Sequence, residues 1–148
     1  MQANSTDAGA SNVIQEFEGV WRAQCAEGRI PSAQDIEPSS IARLMPHLMV
    51  LEVCNAQGAA HMKTRLVGSA HRQVAASLHA GEILDDVDAA HAERARHAAS
   101  TGQPVYWRTE GESATDVCVF PFSADGKTVD RVVSIVIGQP QRRRFDFG

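Results

Sequence analysis

Six histidines, three cysteines and eighteen carboxylates are the side chains from which this chain would build a reactive or metal-binding site. Their spacing supports little of that. Cys25, Cys54 and Cys118 lie far apart without a C-x-x-C pair, and an odd number argues against a complete disulfide framework. Cys54 and Cys118 sit in apolar runs and read as small packed hydrophobes. Two histidines share one stretch, residues 89–100, where about 100° per residue puts Ala92, Ala95 and Ala99 on one side with Ala98 and His91 flanking them. His91 therefore leans inward, and His97 points nearly opposite, where it can pair with Glu93 one turn earlier. His71, Asp85 and Asp86 are the acid/base suspects if the chain is a small α+β hydrolase or isomerase, but the adjacent aspartates also suit a helix start. The sequence has no G-x-S-x-G elbow, P-loop, H-E-x-x-H or G-x-G-x-x-G. We assign no catalytic residue and no metal-ligand set on these grounds.

A chain of 148 residues fits one domain and can bury roughly 70% of the surface its unfolded form exposes. The hydrophobic share of 43% and charged share of 22% suit a globular core. A net charge of −4 repels phosphate backbones, so nucleic acid is not expected as a partner. Arg142, Arg143 and Arg144 read as a solvated basic tail over residues 139–148, too poor in aromatics for base stacking. No run approaches the ~18 apolar residues of a membrane span. Residues 1–10 are small and polar, unlike a secretory leader, and read as a disordered tail. With unpaired cysteines, this points to a cytoplasmic protein.

The elements must then position what chemistry there is. Asn12 with Gln15 marks a helix start, and Ile14, Phe17, Trp21 and Cys25 recur at helical spacing up to Gly28, giving an N-terminal helix over 12–27. Its wide apolar stripe must be buried on its own domain or on a second copy of the chain. Pro38 opens a short helix that Pro46 stops. Strands follow over 47–54 and, by the alternation of Met62, Thr64 and Leu66 with charged neighbours, just after the turn at 55–58. Residues 69–88 hold short helical pieces, Arg72–Leu78 among them. Asp88 caps the longer helix, which Gly102 and Pro104 end. Strands at 105–109, 116–122 and 129–137 complete the chain, the last two joined through Asp125-Gly126. This order predicts an α+β fold with an antiparallel sheet and helices on one face.

That order resembles the PAS fold. Shorter segments resemble one bacterial PAS family often found as single domains: Trp21, Gly28-Arg29 and Pro31, then Asp35, Pro38 and Leu44-Met45-Pro46-His47-Leu48. The likeness continues through Arg65-Leu66-Val67-Gly68-Ser69, Gly81, Gly102-Gln103-Pro104, and Phe120-Pro121-Phe122 with Asp125-Gly126, spanning residues 17–137.

The resemblance implies a five-stranded PAS-like domain over 11–138, acting in signal transduction on a small ligand or a signalling protein, without catalysis. The expected cavity lies under the concave sheet, lined by Leu66, Val74, Leu84, His91, Tyr106, Trp107 and Phe120, with at most one of Tyr106 and Trp107 facing it. Ile14, Phe17, Val20 and Trp21 are the expected homodimer contact. Some haem-binding PAS domains carry an axial histidine on the corresponding helix, which makes haem through His91 the alternative cofactor; the scaffold itself names no ligand. No cysteine lies between Cys54 and Cys118 to form a flavin adduct.

Overall fold

The computed structural model describes residues 12–25, 28–36, 38–56, 59–69, 79–109 and 115–138. The expectations for the two tails, for His71, for Arg72–Leu78 and for Val74 lie outside these residues. Helices α1 (Asn12–Ala23) and α2 (Pro38–Leu44) precede the hairpin β1 (Leu48–Ala56) and β2 (Ala59–Val67). Helices α3 (Leu84–Val87) and α4 (Ala89–Thr101) follow, then β3 (Val105–Thr109), β4 (Thr115–Phe122) and β5 (Arg131–Gly138). The five strands form one sheet in the order β2-β1-β5-β4-β3, every neighbouring pair antiparallel.

Both faces of the sheet are covered. On one side Ile14, Phe17 and Trp21 of α1 pack with Leu48, Cys118, Phe120, Phe122 and Ile135, with Ile41 and Leu44 of α2 at the margin. On the other, Leu84 and the alanines 92, 95 and 98 meet Met49, Leu51, Met62, Val119 and Val132. Strand β4 lies between the two layers and is buried throughout, which explains why both its alternating residue sets are apolar from Val117 to Phe122.

The α1 stripe is thus buried on its own sheet: Ile14, Phe17 and Trp21 are at most 3% exposed in a single chain. Side chains already enclosed have no surface left for a second copy, so the expected dimer contact through Ile14, Phe17 and Trp21 is corrected to an intramolecular core. Val20, half-buried, packs against the same cluster. The helix also stops at Ala23, not at residue 27. Gln24 N–H and Cys25 N–H bond back three residues, to Trp21 O and Arg22 O, tightening the end. The chain must then reach the β4–β5 turn, where Ile30 N–H bonds Gly126 O at 3.1 Å and Ser123 N–H bonds Pro31 O at 2.9 Å.

Segments that carry the likeness meet one another in this way. The Arg29 guanidinium lies over Gly126, whose φ of +85° favours glycine there. Gly68 lies against the backbone carbonyls of Met45 and Pro46, and its N–H bonds Leu48 O at 2.7 Å. Any Cβ at Gly68 collides with both carbonyls. These residues do packing work between neighbouring segments, so motifs of this kind speak for a scaffold and leave the ligand open.

Candidate functional site

The cavity expected under the sheet divides between two faces. Leu84, His91 and Trp107 lie on the α4 side, whereas Leu66, Tyr106 and Phe120 belong to the α1 side. For Leu66 the cause is a β-bulge. Val50 pairs with Leu66 and Leu51 with Thr64, so Arg65 is the extra residue and the inward phase set by Met62 and Thr64 passes to Val67. Tyr106 and Phe120 follow from register: Tyr106 faces its partner Cys118, on the same side of β4 as Phe120. The grouping as one pocket wall is therefore corrected.

On the α4 side the sheet is filled rather than hollow around His91. The Asp88 side chain caps α4 by accepting from His91 N–H at 3.1 Å. The imidazole Nε2 lies 2.8 Å from Ser134 Oγ, and the ring meets Trp107 edge-on with centroids 5.2 Å apart. Arg94 covers Trp107 from outside, its guanidinium carbon 4.7 Å from the ring centroid. His91 is 8% exposed and Ser134 fully buried. An axial haem ligand needs a ring nitrogen facing open space, and Nε2 faces a buried hydroxyl instead, so these residues do not fit that role. The sequence of groups Asp88–His91–Ser134 looks like a hydrolytic triad, with Asp88 Oδ2 3.9 Å from Nδ1. A serine sealed between helix and sheet cannot reach a substrate carbonyl. The chemistry of this cluster is to tie α4 to the sheet.

Asp85 has a similar structural task. One carboxylate oxygen accepts from Met62 N–H at 2.9 Å and the other bonds Arg96, which also bonds Glu93 at 2.7 Å. Asp86 is exposed in the first turn of α3. On the opposite face, buried Asp116 accepts from Tyr106 Oη at 3.0 Å and Arg108 Nε at 2.6 Å. That bond raises the already high pKa of Arg108 and braces the edge of the sheet. Among the described residues no cluster of three His, Cys, Asp or Glu side chains gathers as a metal site. Burial pushes the Cys118 thiol well above its usual pKa and also raises that of Cys25, so neither is an activated thiolate.

An opening roomy enough for a ligand lies elsewhere among the described residues. A cleft of about 630 Å³ separates the C-terminal half of α4 from the β1–β2 hairpin and the β4–β5 turn. Val53, Ala60, Ala99 and Val129 give it an apolar floor, and Asn55, Ser100 and Thr128 add hydrogen-bonding groups. Glu93, Arg96 and His97 stand on the helix wall and Lys127 on the turn. His97 was expected to pair with Glu93; the structure gives Glu93 to Arg96 and lines the cleft with His97. Sequence reading missed this site because its walls come from segments about 30 residues apart in the chain, and only the helical phase of Glu93, Arg96 and His97 hinted at one shared face.

The turn that carries Lys127 is rigidly built. Asp125 Oδ1 accepts from the N–H groups of Lys127 and Thr128 at 2.8 and 2.9 Å and from Ser123 Oγ at 2.8 Å. These donors, Thr128 N–H foremost, hold the Asp125 carboxyl down at a pKa of about 2. No helix among the described residues is long and apolar enough to cross a membrane. Compared with the models of known protein families the chain matches none, and no curated protein matches it.

Proposed function

We propose that the chain is a PAS-type regulatory module that binds a small molecule in the cleft beside α4 and passes the event on through the seating of α4 against the sheet. The observation that supports this reading is the cleft itself, where a hairpin, a helix and a turn converge on one open volume with an apolar floor and polar walls. A ligand held there touches α4 and the β4–β5 turn together. It shifts the packing to the extent that it binds one arrangement better than another. A small molecule suits the surface better than an apolar protein partner, because Met45, 39% exposed, is the one large exposed hydrophobic among the described residues. The buried state of Ser134 and the structural engagement of Asp85 favour regulation over hydrolysis or isomerisation.

Native mass spectrometry of the freshly purified full chain, with an absorption spectrum of the same sample, tests the proposal. The expected result is a small organic adduct released on gentle denaturation, without a Soret or flavin band. A chain that purifies bare, shows no exchange or melting response to metabolite mixtures, and turns over a hydrolase substrate contradicts it.

A further inference from the structure

The two cations that line the cleft differ in how they are held. Glu93 and Arg96 bond each other at 2.7 Å, and Arg96 is held a second time by Asp85, so this pair is engaged within the protein. Across the opening, Lys127 has no ion-pair partner among the described residues, and neither does the His97 ring. Arg96 is thus neutralised within the protein, and Lys127 is the lining cation that no carboxylate engages among the described residues. The Asp125 carboxylate is turned into its own turn, where it fixes the backbone on which Lys127 stands. The fixed backbone leaves only the side-chain freedom of Lys127 to be lost on binding, and the ammonium can make a charge-assisted contact there.

From this geometry we propose that the cleft binds a small monocarboxylate with a short apolar body. The proposal rests on reading the cleft as the ligand site, and it names the ligand class. The carboxylate lies between Lys127 Nζ and the His97 ring, and the body covers Val53, Ala60, Ala99 and Val129. Asn55 and Thr128 supply side donors. One ammonium and one imidazole suit a single negative charge; a phosphate dianion calls for more donors, such as a free guanidinium fork, and Arg96 is already occupied.

Isothermal titration of the full chain with butyrate, butylammonium and inorganic phosphate, at one pH and ionic strength, decides the matter. Butyrate, as a fragment of the larger carboxylate that survives purification, is expected to bind with a Kd on the order of millimolar. Lys127→Ala weakens it by about tenfold, the loss of one charge-assisted hydrogen bond, and Lys127→Arg keeps most of the affinity. His97→Ala weakens it by a smaller factor. Thermal melting of each variant, expected near that of the parent because both side chains are exposed, separates lost binding from lost folding. Equal butyrate affinity in Lys127→Ala overturns the proposal, as does tighter binding of phosphate. Preference for butylammonium overturns the anion class and leaves the cleft as a ligand site. No binding of any probe overturns the proposal as well, and the reading of the cleft falls with it only if the chain also purifies bare, fails to respond to metabolite mixtures and turns over a hydrolase substrate.

Discussion

The two faces of the sheet are held by different materials. On the α1 side Phe17 meets Phe120 edge-on at 5.0 Å, Trp21 stands 6.2 Å from the same ring, and Trp21 Nε1 donates to Pro121 O at 2.8 Å. All the phenylalanines among the described residues, Phe17, Phe120 and Phe122, are on this side. On the α4 side the helix offers alanines 92, 95 and 98, and the directional contacts are mostly polar: His91 with Ser134, and Arg96 through Asp85 to Met62 N–H. Large interlocked rings fix one arrangement, because moving any of them opens a void. A flat alanine face slides at less cost. On the function proposed above, the α1 face is the static one and the α4 face, on which the cleft opens, the responsive one.

The largest expected break in that contrast is Trp21→Ala. It removes a fully enclosed ring and leaves Pro121 O without its donor, and a loss of about 3–5 kcal/mol in urea unfolding is expected. Ala95→Leu acts on the other face: extra methylenes under α4 force it off the sheet and destabilise by about 1–3 kcal/mol. Its marker is a change in Trp107 emission with α1 undisturbed, since Trp107 packs on that face and Trp21 on the opposite one. Ser134→Ala leaves His91 Nε2 buried without its partner and costs about 1–3 kcal/mol, read by the same melts.

The smallest effect concerns acid. The carboxyl of Asp125 is depressed from 3.8 to about 2 in the folded chain, so its contribution to stability is present above pH 3.8 and fades as the pH falls towards 2. Asp125→Asn should flatten the acid limb of the stability curve in that window and loosen the turn under Lys127. An unchanged acid limb would show that the turn does not depend on the charge.

Much of the fold could be read from residue types and spacing. The strands of the closing meander, the Asp88 cap and the Gly102 end of α4 follow local rules, and the structure has them within two residues of the expected positions. The longer reach of α1 to residue 27 failed because the chain is drawn off to the β4–β5 turn, a tertiary demand with no local sign. Leu66 was misassigned because period two assumes an unbroken ladder, and the bulge at Arg65 shifts the phase. Phe120 is buried and Tyr106 half-buried, but which of two helix layers a strand face meets is decided by sheet order. The helical phase points His97 away from the interior with Glu93 one turn before it, yet Arg96 takes that carboxylate and His97 lines the cleft.

The most direct test of the division between the faces is hydrogen exchange of the full chain with and without saturating butyrate. The account predicts altered protection in α4 and in residues 123–130, with α1 and the core of β4 unchanged. Butyrate-dependent change centred on α1, or a uniform change across both faces, would contradict it.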